Sequence, residues 1–108
     1  MEQLAISEKR GANYILYELK GACNSYTIAD ISTKIFEEIK TTNVVIDMSA
    51  VTDLDSSGMG MLFAGFNDGL QYHHKLYLLG LSFAAQKTVT DTGFLEAFNV
   101  IQSVTEVE

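Results

Sequence analysis

Two short apolar runs, NVVIDMS (43–49) and KLYLLGL (75–81), read as strands buried within a sheet. Between them the large apolar residues change period: Met59, Leu62, Phe63, Phe66 and Leu70 fall on one face of a helix that ends near Tyr72. This strand–helix–strand order constrains the fold more than any other feature. Parallel strands need a crossover, and the crossover helix must bury its apolar face against the sheet.

The rest of the chain extends the same alternation. YILYELKG (14–21) is rich in β-formers and ends at glycine, and a strand around Leu4, Ala5 and Ile6 precedes it across the turn KRGAN. Residues 25–40 carry Ile28, Ile31, Ile35, Phe36 and Ile39 at helical spacing, with Asn24 or Ser25 as the expected N-cap. Ser82 can cap a third helix reaching about Asp91, with Gly93 suited to a left-handed stop. Phe98 to Ile101 makes a last edge strand, and Ser103-Val104-Thr105-Glu106 spells a capping box.

The order is β-β-α-β-α-β-α-β. It predicts an α/β fold with a mixed, largely parallel sheet of four or five strands, packed with three to four helices as one domain over residues 1–108. The expected helices are 25–40, 57–72 and 82–92. The expected core includes Leu16, Ile31, Ile35, Val45, Ile46, Leu62, Phe66, Leu78 and Phe94.

Charge and cysteine content narrow the function. Fourteen acids against seven bases give a net charge of −7, which argues against nucleic acid and anionic membranes as partners and suits a protein with a basic face. The one cysteine, Cys23, cannot form an internal disulfide and lies in no CxxC pair, so it reads as inert. Without a leader pattern or a long apolar segment, the expectation is a cytoplasmic protein that does not insert into a membrane.

The chemistry-bearing stretch is DLDSSGMGML (53–62). A hydrolase nucleophile there would need a histidine, but His73 and His74 fall at the far end of the predicted helix, about 24 Å away at 1.5 Å per residue. Neither a phosphate-binding GxxxxGK[ST] nor a dinucleotide GxGxxG is present. The adjacent histidines point apart and have no cysteine or histidine cluster beside them, so no metal site and no cofactor is expected. Two readings remain open at this point. Asp55 or Ser56 caps the helix, and Gly58 and Gly60 let backbone approach a neighbour. Alternatively, the exposed turn presents a serine for phosphorylation, where a new charge of about −1.5 to −2 sits at the positive end of the helix dipole.

The combination of a strand ending in Gly21, a helix, VVIDMSAVTDLDSSGMGML, a second helix, KLYLLGLS and TVTDTGFLEAFNVIQSVTE resembles a STAS domain (sulfate transporter and anti-sigma factor antagonist). The resemblance covers nearly the whole chain, and its most specific part is residues 44–62. It implies the stand-alone bacterial anti-sigma factor antagonist branch, a binding module without enzymatic activity of its own. Such an antagonist binds a GHKL-type serine-kinase anti-sigma factor, releasing the sigma factor. It is switched off by phosphorylation at the first serine of the turn and restored by a phosphatase.

By position that serine is Ser56, with Ser57 second. The implied partner-binding residues are Asn24, Asp53, Asp55, Ser56, Ser57, Gly58 and Met59. Asn24 stands where relatives often carry an aspartate. The alternative within the same resemblance is a constitutive, unphosphorylated STAS subunit of another bacterial assembly, serving lipid transport or stress signalling.

Overall fold

A computed structural model describes residues 3–93 and 95–108; Phe94, expected in the core, lies outside them. Five strands form one sheet in the order β1-β2-β3-β4-β5. They are β1 (Ala5–Arg10), β2 (Tyr14–Cys23), β3 (Asn43–Leu54), β4 (Leu76–Leu79) and β5 (Asn99–Ile101). β1 pairs antiparallel with β2, and the remaining neighbours are parallel. Three helices, α1 (Ala29–Glu38), α2 (Ser56–Tyr72) and α3 (Phe83–Asp91), connect the parallel strands. The alternation read from the sequence is therefore the observed order.

One face of the sheet, through Ile15, Tyr17, Leu19, Val44, Ile46, Met48, Leu76 and Leu78, meets the buried stripes of the helices in the main core. The other face holds a smaller cluster of Leu16, Val45, Tyr77, Ile101 and Val107. That second face is covered by the end of the chain. Asn13 and Asn43 donate side-chain hydrogen bonds to the carbonyls of Val107 and Glu108, and the Glu108 N–H donates to the Tyr77 hydroxyl. The Ser103–Glu106 capping box forms, but on a single 3₁₀ turn, Val104–Glu106.

Several expectations need correction. The first helix begins at Ala29, not Ser25, and its N-cap, Ile28, makes no side-chain cap bond. Residues 24–27 close a turn instead: the Asn24 side-chain oxygen accepts from the Tyr26 N–H, and the Asn24 carbonyl accepts from Thr27 and Ile28. These bonds satisfy the backbone groups that a longer helix would have used. β3 runs on to Leu54, because its distal half pairs with the end of β2 across two register shifts.

Phe36 and Leu70 are exposed, at 50% and 64%. Phe36 sits one residue off the Ile31–Ile35–Ile39 stripe and packs under the Lys40 ammonium, 4.6 Å from its ring centroid. In α2 the fully buried stripe is Gly58, Met61, Leu62, Gly65 and Gly69, joined by Met59. Phe63 and Phe66 are half-buried and pack against Phe98, tilted and edge-on, with centroids 5.1 and 5.8 Å away. Glycine carries no hydropathy signal, so the sequence pattern pointed toward the aromatics. A side chain at Gly65 would lie 2.8 Å from Ile35, so a small residue there is what lets α2 close on α1.

Candidate functional site

β2 and β3 run side by side to the same end of the sheet, with Ala22 opposite Asp53 and Cys23 opposite Leu54. Past those residues the chain makes two turns. One is the hydrogen-bonded turn at 24–27, further tied by the Thr27 hydroxyl, which donates to the Ala22 carbonyl at 2.7 Å. The other is the passage from β3 into α2. The Asp55 N–H donates to the Cys23 carbonyl at 3.2 Å, so the second turn is fastened to the strand that supports the first.

Asp55 is the helix cap. It is extended at φ −99°, ψ −172°, its carboxylate accepts from the Gly58 N–H at 3.0 Å, and its carbonyl accepts from Met59. Of the two capping candidates, the carboxylate holds the role and leaves Ser56 as the first helical residue. Ser56 is exposed, and its hydroxyl makes no hydrogen bond to another described residue. Ser57 is half-buried. The hydroxyl that carries the interest is thus unencumbered, on a turn held by its neighbours.

The other residues of the expected site separate by depth. Asp53 is exposed and Asn24 half-buried, both at the rim of the two turns. Gly58 and Met59, also expected among the partner-binding residues, are buried. Met59 packs into the main core. Gly58 presses on the end of β2: a β-carbon there would fall 2.9 Å from the Cys23 carbonyl oxygen and 2.4 Å from Leu54. Gly60, expected to serve close approach as well, has nothing within 4 Å of such a β-carbon.

The electrostatics of this end are one-sided. Among the described residues Asp53 and Asp55 stand in no ion pair, whereas the ion pairs found there lie on other elements, among them Lys9–Glu18 and Arg10–Glu38. Burial first, then the charges of Asp55 and Asp53, push the Cys23 thiol up to about 11, so it stays protonated beneath the turn. His73 ends α2, seventeen residues from its start, and His74 donates from Nδ1 to the Ile39 carbonyl at 2.7 Å. Neither histidine comes near Ser56. No group of three or more potential metal ligands occurs among the described residues.

A family model for the STAS domain matches residues 4–107. The chain belongs to the STAS domain family. Solved structures agree on the fold of this domain. It is similar to the anti-sigma factor antagonist SpoIIAA in its unphosphorylated form, at 18% identity and a TM-score of 0.77, covering 94% of this chain and 90% of that one. An anti-sigma factor antagonist from Mycobacterium paratuberculosis gives 19% identity and a TM-score of 0.77, covering 95% and 89%. A variant of Moorella thermoacetica RsbS gives 15% and 0.75, covering 94% and 90%. No curated protein sequence matches. Among the described residues no helix is long and apolar enough to cross a membrane.

One residue at this site had no signal in the sequence. The Thr88 hydroxyl, from α3, donates to the Leu54 carbonyl at 2.8 Å, immediately behind the Asp55 cap. Nothing in the string TVTDT marks that contact, which spans two elements far apart in the chain.

Proposed function

We propose that this STAS domain is an anti-sigma factor antagonist that works by binding rather than catalysis. Its partner is a GHKL-type serine kinase that sequesters a sigma factor, in the cytoplasm, and phosphorylation of Ser56 switches the binding off until a phosphatase reverses it. The observation that carries the reading is the exposed, unpaired Ser56 hydroxyl on the first residue of α2, with Asp55 rather than Ser56 capping the helix. The role of the named relatives as antagonists supports it.

Such a switch would act through charge. The amide of Gly58 is already taken by Asp55, and Asp53 lies exposed nearby. A phosphate on Ser56 would add charge to a turn that is already acidic, and a partner packed there would have to desolvate it. Burying an unpaired charge costs on the order of several kcal/mol, which is ample for release.

The test is a set of three proteins: wild type, Ser56→Ala and Ser56→Asp. Incubation of each with a lysate of the source cells and ATP, followed by intact-mass measurement, reports phosphorylation, and titration against the captured kinase reports affinity. Alanine at Ser56 leaves the cap in place, and aspartate in the first turn favours the helix dipole, so both variants stay folded. Expected are a phosphate-sized mass gain for wild type only, full binding for alanine and weak binding for aspartate. Equal affinities for all three, with no mass gain, would leave the constitutive-subunit reading in its place.

A further inference from the structure

β3 is a strand with two different halves. Val44 through Asp47 lie between β2 and β4, but the pairing with β4 stops at the Asp47–Leu79 register. Beyond it, among the described residues, β3 continues to Leu54 with a strand partner on the β2 side alone. The α3 segment takes the vacated side. The Ser82 N–H donates to the Met48 carbonyl at 3.1 Å, and the Thr88 hydroxyl donates to the Leu54 carbonyl at 2.8 Å. Helix α3 therefore stands in for a missing strand, bonded at both ends of the distal half of β3.

A helical threonine usually turns its hydroxyl back onto its own helix. Thr33 does so, donating to the Ala29 carbonyl, and Thr92 does so to Val89. Thr88 instead reaches across to the residue that directly precedes the Asp55 cap. On the opposite side, the Asp55 N–H is held by Cys23. The peptide unit joining Leu54 to Asp55 is thus pinned at its oxygen by α3 and at its nitrogen by β2.

We propose that Thr88 is a positioning residue for the Ser56 turn. Its hydroxyl fixes where β3 ends, and so where α2 begins and presents Ser56. The placement claim stands on the hydrogen bonds alone; its effect on a kinase rests on the function proposed above. It also makes α3 a lever on the turn, because anything that shifts α3 moves the carbonyl from which α2 starts.

Thr88→Val removes the hydroxyl while keeping the branched shape, Thr88→Ser keeps the hydroxyl, and Thr88→Ala is a smaller variant that removes the same bond should valine not be accommodated. The primary readout is amide hydrogen exchange by NMR at Gly58 and Met59, the first-turn amides bonded to Asp55. Loss of one hydrogen bond's contribution predicts exchange roughly three- to tenfold faster at these amides in the valine variant, with serine near wild type. Amides of α1 and of β2 before Lys20 should keep wild-type rates.

Unchanged exchange at Gly58 and Met59 would overturn the proposal, and so would an equal acceleration across all elements, which would make Thr88 a general stabiliser. The second readout is the phosphorylation rate by the captured kinase, expected to fall several-fold for valine and to recover for serine. A local loosening of the turn in a protein whose wild type takes no phosphate would keep the positioning role and sink the kinase reading. A loosened turn phosphorylated at the wild-type rate would overturn Thr88 as a positioning residue for that reaction.

Discussion

Two glycines two residues apart on one helix should respond to the same substitution with opposite signs. A β-carbon at Gly58 would lie 2.4 Å from the Leu54 Cδ1, 2.9 Å from the Cys23 carbonyl oxygen and 3.3 Å from the Cys23 β-carbon. Leu54 is 2% exposed and has little room to swing away. The Cys23 carbonyl is backbone and is held by the Asp55 N–H, so it cannot retreat without loosening the cap. Overpacking costs about 1–3 kcal/mol, and with neither neighbour free to give way it falls at about 2–3 kcal/mol here. Alanine's helical advantage over glycine returns roughly 1 kcal/mol, which leaves Gly58→Ala less stable by about 1–2 kcal/mol.

Gly60 is exposed with nothing within 4 Å, so Gly60→Ala receives only the helical gain, about 0.5–1 kcal/mol. At about 4–8 °C per kcal/mol, thermal melts should separate the two variants by roughly 10 °C or more, on either side of wild type. Urea midpoints give the same comparison at one temperature. A Gly58→Ala protein as stable as wild type would refute the claim that α2 is seated directly on the end of β2.

Other perturbations follow from single features. Leu62 is fully buried, so Leu62→Ala should lose about 2–5 kcal/mol in urea unfolding, whereas Leu70→Ala, at an exposed position, should stay within about 0.5 kcal/mol. His73 ends α2 at φ 62°, a left-handed conformation that glycine adopts freely, so His73→Gly should raise the melting temperature by a few degrees, corresponding to about 1 kcal/mol. The Cys23 thiol is raised from 9.0 to about 11, chiefly by burial, so the native state holds this proton more tightly than the unfolded chain does. Its contribution is complete below pH 9 and is lost as pH rises toward 11. Stability measured at pH 8, 9.5 and 10.5 should therefore fall more steeply for wild type than for Cys23→Ala, and parallel curves would refute the assignment. Tyr17, raised to about 12 mainly by burial, leaves a residual alkaline slope in both proteins.

The alternation of elements was legible because strand and helix periods differ and the buried strands are nearly all apolar, as in Val44, Val45 and Ile46. The position of the site was legible too, since DSSG follows an apolar strand and opens a helix. What the sequence hid were relations between elements. The turn at 24–27 displaced the start of α1 because Asn24 and Thr27 hydrogen-bond to backbone, and such bonds leave no periodicity. The buried stripe of α2 was misjudged because Gly65 and Gly69 pack by absence, against Ile35 and His74. Of the two capping candidates, only the folded backbone distinguishes Asp55, and the role of Thr88 depends on α3 lying where a strand would otherwise pair.

The outermost strand has a consequence for how this molecule behaves in a crowd. A bare sheet margin is a template on which stray chains can polymerise. β1 forms such a margin, yet Glu8, Lys9 and Arg10 are exposed along it and linked to Lys34, Glu18 and Glu38. An incoming strand would have to strip water from these charges and break their pairs before gaining any ladder. At the opposite margin β5 offers only three residues. Crowded copies of this protein should therefore stay dispersed, and associations that do form should favour the loops at the end of the sheet over fibre growth along its sides.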